Sequence, residues 1–396
     1  TLTLSQGEFT VDRPDKLPLH WNVPVIAAVA KLGASPASTW ADTRGIVDGR
    51  TTLTLDHCGP VLVNAGQTGY FRTLYSRALF NSLRENFAAM PAIDQLGLMS
   101  DTWSLGLAGL QPASDIMDLV MATPADADTQ VWGRAASALE TIDDYYKEDP
   151  ARQARFRAFA LPKLAPLMTQ VGWEARAGEP DTIAIQRGRV IGTLAGLGDA
   201  AVIAEAKRRY AARDTDPAAM PAALRKTIMS IVAYTADEAE WNALRAQAQA
   251  EKVALIKDAD YAMLASSKDQ VLAKRALELS LTDEPGATNT ARMISTVAEH
   301  FPQMAFDFAL AHMDVVNTRV DATSRSQYYP GLGSGAGDAA MIAKIQDFAE
   351  KYLDKGSRRS AETAMSSIRN RIKVRDEQLP AIDAWLAQHA AKTSTR

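Results

Sequence analysis

The side chains able to do chemistry are few and widely spaced. The histidines are His20, His57, His300, His312 and His389, and the one cysteine is Cys58. No two histidines stand four residues apart, so the helical HExxH spacing that presents two imidazoles to a catalytic zinc is absent from the sequence. One cysteine also excludes an internal disulfide framework and any cysteine-rich zinc module. His57 and Cys58 are adjacent, and neighbours on a strand point to opposite faces, so they make a poor base and nucleophile pair. Gly331, Gly333, Gly335 and Gly337 satisfy neither GxGxxG nor GxxxxGK[ST], and the spacing predicts a connection between helices there. The pair Asp143 and Asp144 suits a solvated helical face better than acid and base work. No catalytic residue and no metal-ligand set is therefore expected within these residues.

Composition narrows the partners. Lys and Arg number 43 against 47 Asp and Glu, for a net charge of -4, which removes the electrostatic footprint of a general nucleic-acid binder. Residues 351–396 run against this balance, with ten Lys or Arg and five Asp or Glu. They read as a solvated helical face, or as a lining that meets an anionic group. No apolar run reaches the roughly 18 residues that a spanning helix needs. Hydrophobic residues at 47% and charged residues at 23% agree with a soluble globular protein of two or three domains. The compartment stays open between cytoplasm and periplasm.

The elements that must position any site change period near residue 76. Up to Ser76, short apolar runs alternate with turn formers: Leu2 and Leu4; Trp21, Val23 and Val25; Leu53 and Leu55; Val61 and Val63. Pro14, Pro18, Pro24, Pro36 and Pro60, with Gly45 and Gly49, punctuate them as in a small β-sandwich. Beyond Ser76 the period is helical, as in Trp132, Ala136, Leu139 and Ile142, or Met341, Ile342, Ile345, Phe348, Ala349 and Tyr352. Gly198 reads as a helix stop, and Thr235 with Glu238 as a capping box ahead of Trp241. The expected fold is mainly α: a β-sandwich over 1–76, then an α-α superhelix of the HEAT or armadillo kind over 77–396, with roughly 15 to 18 helices and no legible repeat period.

The segment Val61–Tyr75, VLVNAGQTGYFRTLY, resembles the end of the β-sandwich in aminopeptidase N family enzymes, approximately N-x-x-x-x-G-Y-[YF]-R-x-x-Y. Asn64, Gly69, Tyr70, Phe71, Arg72 and Tyr75 fill its positions. From the residues themselves, Asn64–Gly69 suits a turn or bulge with Gly69 at positive φ, the residues after it suit a strand, and Arg72 suits an ion pair within the sandwich or at its junction. The segment Leu98–Gly109, LMSDTWSLGLAG, is similar to the first helical signature, with Leu98, Asp101, Trp103, Leu105 and Gly109 in register. The family usually has Asp-Arg just upstream, where this chain has Asp94-Gln95. Val171-Gly172-Trp173, Gly198-Asp199, Trp241 and Trp385-Leu386 are similar to later landmarks, and the opening TLTLSQGEF resembles the segment after a catalytic domain.

The resemblance implies the C-terminal, ERAP-type portion of a zinc aminopeptidase. Its zinc, held by two His and a distant Glu, and its GAMEN-like strand would lie before Thr1. The chain alone is then expected to hydrolyse nothing and to hold no cofactor. Its partners would be the catalytic domain of the same polypeptide and peptide substrates. The helical part would wall and cap the peptide chamber, with Arg325, Tyr328, Tyr329, Arg358 and Arg359 as candidate contacts to a peptide's C-terminal end. Asn64, Gly69, Tyr70, Arg72, Tyr75 and Asp101 carry the structural signature. Faces left by the catalytic domain are expected to expose apolar residues. The alternative is a free-standing α-solenoid scaffold that grips a protein or peptide.

Overall fold

The structure, a computed structural model, describes residues 1–10, 20–31, 40–216 and 218–393. Pro14, Pro18 and Pro36 lie outside them. Strands come first: β1 (Leu2–Ser5), β2 (Asn22–Ala30), β3 (Trp40–Asp48), β4 (Arg50–Leu53) and β5 (Val61–Val63). β1 and β4 form one antiparallel pair, and a second sheet has the order β3-β2-β5. The two sheets share one apolar core of Leu2, Leu53, Val25, Ala27, Val29, Val47, Val61 and Val63. The period-2 pattern produces this, because alternate residues of each strand face the other sheet.

Pro24 does not punctuate the sheet. It lies within β2 opposite Ile46, and β5 pairs only with Ala27–Val29. At Pro24 the strand is therefore an edge, where a missing N–H removes no ladder bond. Gly59 is required at the other end, since a Cβ there would sit 1.8 Å from the Ala30 carbonyl oxygen.

Helices begin with α1 (Arg77–Glu85) and α2 (Ala92–Leu107), followed by α3 (Asp115–Ala122), α4 (Thr129–Tyr145), α5 (Pro150–Val171) and α6 (Asp181–Gly196). The chain divides into two compact units, Thr1–Val190 with Val374–Arg396, and Ile191–Lys373. In the first unit the C-terminal end of the chain returns to helices α2 to α5. A π-helical turn, Val374–Gln378, leads into α18 (Leu379–Thr393), which packs on α5. Trp385 donates to Asp118 at 2.8 Å and meets Phe159 edge-on at 5.1 Å between ring centroids. Asp383 accepts from Arg152 at 2.6 Å and from the Tyr146 hydroxyl at 3.1 Å. Gly109, at φ 77°, lets Gln378 close over it, for a Cβ would come within 2.9 Å of its Nε2.

The second unit holds α7 (Ala200–Ala212), α8 (Ala222–Tyr234), α9 (Glu238–Ala250), α10 (Ala254–Leu264), α11 (Gln270–Ser280), α12 (Asn289–His300), α13 (Pro302–Ala311), α14 (Met313–Arg319), α15 (Arg325–Gly333), α16 (Ala339–Tyr352) and α17 (Arg359–Lys373). Neighbours in sequence pack together, and so do every-other helices: α8 on α10, α10 on α12, α11 on α13, α13 on α15, α15 on α17. That is the stacking of a helical-pair solenoid, in which each pair buries its apolar stripe against the next. Gly198 stops α6 as expected, at φ 87°, with Asp199 N–H bonded to Leu194 O at 2.9 Å. The box ahead of Trp241 is shifted from its expected place. Asp237 and Glu240 form it, while Thr235 ends α8 and donates its hydroxyl to Ile231 O. Asp237 wins because its side chain reaches the amide of the third helical residue, which Thr235 stands two residues too early to do.

Candidate functional site

The first signature builds a loop clamped by Asn64. Asn64 lies in the left-handed region at φ 62°, with Gly66 at 73° and Gln67 at 52°. Its side chain donates to Gly69 O at 2.9 Å and accepts Gly69 N–H at 2.7 Å, closing both backbone groups at once. Gly69, expected at positive φ, is not among the positive-φ residues. Its smallness serves a close approach, since a Cβ would lie 2.2 Å from Phe71 Cε1 and 3.0 Å from Asn64 Oδ1. A short polar side chain that bonds locally lets Asn take the left-handed place instead.

Residues 70–75 alternate in exposure as a strand would, but they join no ladder. The Tyr75 hydroxyl takes the place of a strand neighbour, accepting Val63 N–H at 2.9 Å and donating to Val63 O at 3.2 Å. Burial pushes this hydroxyl far above the ordinary tyrosine range, so it stays a donor. Tyr70 and Leu74, on the other side of the segment, are exposed, as is Ile93 nearby in sequence to the loop's helix partner Asp94.

The second signature meets the first. Asp94 accepts Gly66 N–H at 2.7 Å, and Asp101 accepts Thr73 N–H at 2.8 Å and Arg72 Nη1 at 3.2 Å. Arg72 thus reaches helix α2, where it also donates to Ser100 O at 3.3 Å. Burial raises the carboxyls of Asp94 and Asp101, and these donors pull them back. Between the two, Gly97 leaves room for Gln67, whose amide would meet a Cβ at 2.1 Å. Gln95, standing where the resemblance implies an Arg, is buried and donates to Phe87 O at 2.7 Å. A neutral amide there needs no ion-pair partner.

The five candidate peptide contacts separate on the structure. Arg325 donates to Val320 O at 3.2 Å and Asn317 O at 2.5 Å, closing the end of α14. Arg358 does the same for α16, with Leu353 O at 3.1 Å and Glu350 O at 3.3 Å. Tyr329 is buried against Phe348, and its hydroxyl, pushed up to about 12 by burial, donates to Asn317 Oδ1 at 3.0 Å. Arg359 is exposed. Tyr328 lines a cleft of about 430 Å³ with Ser295, Ala298, Ser324, Gln327, Gly331 and Leu332. Its hydroxyl donates to Ala291 O at 3.1 Å. The cleft is walled by helix where the glycine spacing predicts a loop, because α15 continues through Gly331 and Gly333.

The matching arginine caps reveal a repeat that periodicity misses. Val320-Asp-Ala-Thr-Ser-Arg325 and Leu353-Asp-Lys-Gly-Ser-Arg358 are 33 positions apart (353 minus 320), with Asp, Ser and Arg in common. In each the Arg bonds the carbonyls five and eight residues before it. The signal was available in sequence, as a short polar pattern rather than an apolar one.

Among the described residues no three His, Cys, Asp or Glu side chains come together as a metal-ligand set. The zinc implied by the resemblance does not fit these residues. No helix among them is long and apolar enough to cross a membrane.

Residues 60–370 match the family model described as ERAP1-like C-terminal domain. The chain belongs to that family. The match includes both signatures, the stacked helices and the Tyr328 cleft. Relatives include Aminopeptidase M1-A of Oryza sativa subsp. japonica, 30% identical over 38% of this chain and 17% of that protein. Glutamyl aminopeptidase of Mus musculus is 21% identical over 94% of this chain and 40% of its own length. Thyrotropin-releasing hormone-degrading ectoenzyme of Rattus norvegicus is 25% identical over 39% and 15%. The chain thus spans less than half the length of these relatives.

Proposed function

We propose that the chain is the non-catalytic C-terminal part of a zinc-dependent aminopeptidase, and that it walls and caps the chamber in which peptides lose their N-terminal residues. The observation that carries this reading is the family match over residues 60–370, shared with relatives that are named aminopeptidases. The zinc, the general base and the grip on the substrate amino group belong to polypeptide outside Thr1–Arg396, which is the chain's partner. The Tyr328 cleft receives the far, C-terminal end of a peptide, on a frame held by Arg325, Tyr329 and Arg358, with Arg359 supplying positive charge. A wall of stacked helices suits this task because it presents a long concave face without unpaired backbone.

The test has two parts. Purified Thr1–Arg396 is assayed with leucine p-nitroanilide, with added zinc and with chelator; no chelator-sensitive release is expected, and robust release overturns the reading. In the full-length gene product, Tyr328→Ala should lower kcat/KM for peptides of about ten residues and leave leucine p-nitroanilide unchanged, since only a long substrate reaches the cleft. Equal effects on both would remove the cleft from the reading.

The every-other packing of α8, α10 and α12 favours a second reading, a free-standing scaffold that binds a peptide. An upstream coding sequence with HExxH decides against it.

A further inference from the structure

Helices α2 and α4 pack on each other, and Arg134 of α4 lies within electrostatic reach of Arg72 of the first signature. Its guanidinium carbon lies 5.9 Å from the centroid of the Trp103 ring of α2. Unlike the arginines around it, Arg134 has no hydrogen-bond or ion-pair partner among the described residues. Arg77 is bidentate on Asp115, Arg157 on Asp143 and Arg187 on Glu179. Arg134 is partly buried, and burial together with neighbouring Arg72 holds its guanidinium below the usual arginine range.

Arg72 is only partly engaged. Its Nη1 meets Asp101 and Ser100 O, its guanidinium carbon lies 5.5 Å from the Phe9 ring centroid, and its Nη2 and Nε have no acceptor among the described residues. Arg189 crosses the same stretch of α4, its Cζ 3.6 Å from where a Cβ on Gly133 would stand and its Nη2 bonded to Ser137. Arg72 is the charged neighbour of Arg134, while Arg189 lies over Gly133 and Ser137 of the same helix. Arg72 and Thr73 N–H occupy the Asp101 carboxylate.

Keeping two guanidinium groups together and partly out of water, with one of them unpaired, costs stability. Such a cost is retained where the group meets a ligand. Guanidinium is planar and presents a fork of donors that matches a carboxylate's two oxygens, and an aromatic wall excludes water from one side. We infer that Arg134, with Arg72 beside it and Trp103 as its wall, forms a carboxylate-binding site on the α2–α4 face. The carboxylate comes from a free small acid or from the side chain of an Asp or Glu carried on another polypeptide segment. This site is separate from the Tyr328 cleft and does not depend on the function proposed above.

Succinate and a terminally blocked Gly-Asp-Gly peptide are titrated by calorimetry into the full chain, at an ionic strength matched with sodium chloride. Saturable heat with either supports the site, and which of the two gives it identifies the source. Arg134→Met keeps the apolar stem over Trp103 and removes the fork, so it should weaken binding about tenfold or more. Without ligand this variant should melt at or above the native midpoint, because an unpaired cation has gone. Heats equal to those of chloride, binding that survives Arg134→Met, or a large drop in the variant's melting temperature would each overturn the inference.

Discussion

Removing the Asn64 side chain tests the clamp that closes the loop of the first signature. Asn64→Ala loses a donor to Gly69 O and an acceptor for Gly69 N–H, at 2.9 and 2.7 Å, in a residue that is 3% exposed. Each partner left without a bond in this partly buried loop costs about 1 kcal/mol. Alanine must also hold φ near 62°, which costs roughly 1 kcal/mol more than for asparagine. The sum is about 3 kcal/mol. Asn64→Gly loses the same bonds but relieves the backbone, so it should cost about 2 kcal/mol. Asn64→Asp keeps the acceptor and sets a carboxylate against Gly69 O in the loop that Asp94 already holds through Gly66, so it should fall between glycine and native only at acid pH. Urea unfolding followed by circular dichroism measures the alanine and glycine midpoints at pH 7 and the aspartate midpoint at pH 7 and at acid pH. Equal costs for alanine and glycine would show that the left-handed backbone carries no energy. Costs below about 0.5 kcal/mol for both would refute the clamp itself.

Two glycines of α15 should respond to alanine with opposite signs. At Gly333 a Cβ would meet Ile345 Cδ1 at 2.9 Å and Met341 Sδ at 3.0 Å, and Gly333→Ala should cost about 1 kcal/mol net of helix propensity. Nothing lies within 4 Å at Gly331, so Gly331→Ala should gain about 0.5 kcal/mol; thermal midpoints decide, and like signs would contradict the packing. The pair of Arg187, 3% exposed, with Glu179 holds that carboxyl down at about 2 from an ordinary 4.5. Because the folded value is depressed, its stabilisation is full above pH 4.5 and is lost as the pH falls toward 2. Carbon NMR of Glu179 should show the low midpoint, and Glu179→Gln should flatten acid unfolding across that window. Arg358→Met should free the Glu350 and Leu353 carbonyls and cost about 1–2 kcal/mol, with amide exchange rising first at the end of α16. A variant whose exchange rises elsewhere would argue against the cap.

Sequence periodicity determined the mainly α fold, the strands before Val63 and the helices after Ser76, because burial of one face imposes a period of two on a strand and of 3.6 on a helix. It also determined the stop at Gly198, where a positive φ demands glycine. The two signature segments were legible as patterns, and the family to which the chain belongs followed from them. What their residues touch was not legible. Arg72 finds Asp101 across 29 positions and Tyr75 finds Val63 across 12, and no local rule selects a polar partner at that range. The left-handed place went to Asn64 rather than Gly69 because the hydrogen bonds that steady it exist only once the loop has closed. Arg325 and Arg358, which their charge marks as ligand contacts, became helix caps, since the carbonyls that claim them are supplied by the turn of the chain. Whether an arginine is already satisfied depends on its neighbours in space, and only the tertiary structure distinguishes Arg134, which has no hydrogen-bond or ion-pair partner among the described residues, from Arg187, which is bidentate on Glu179.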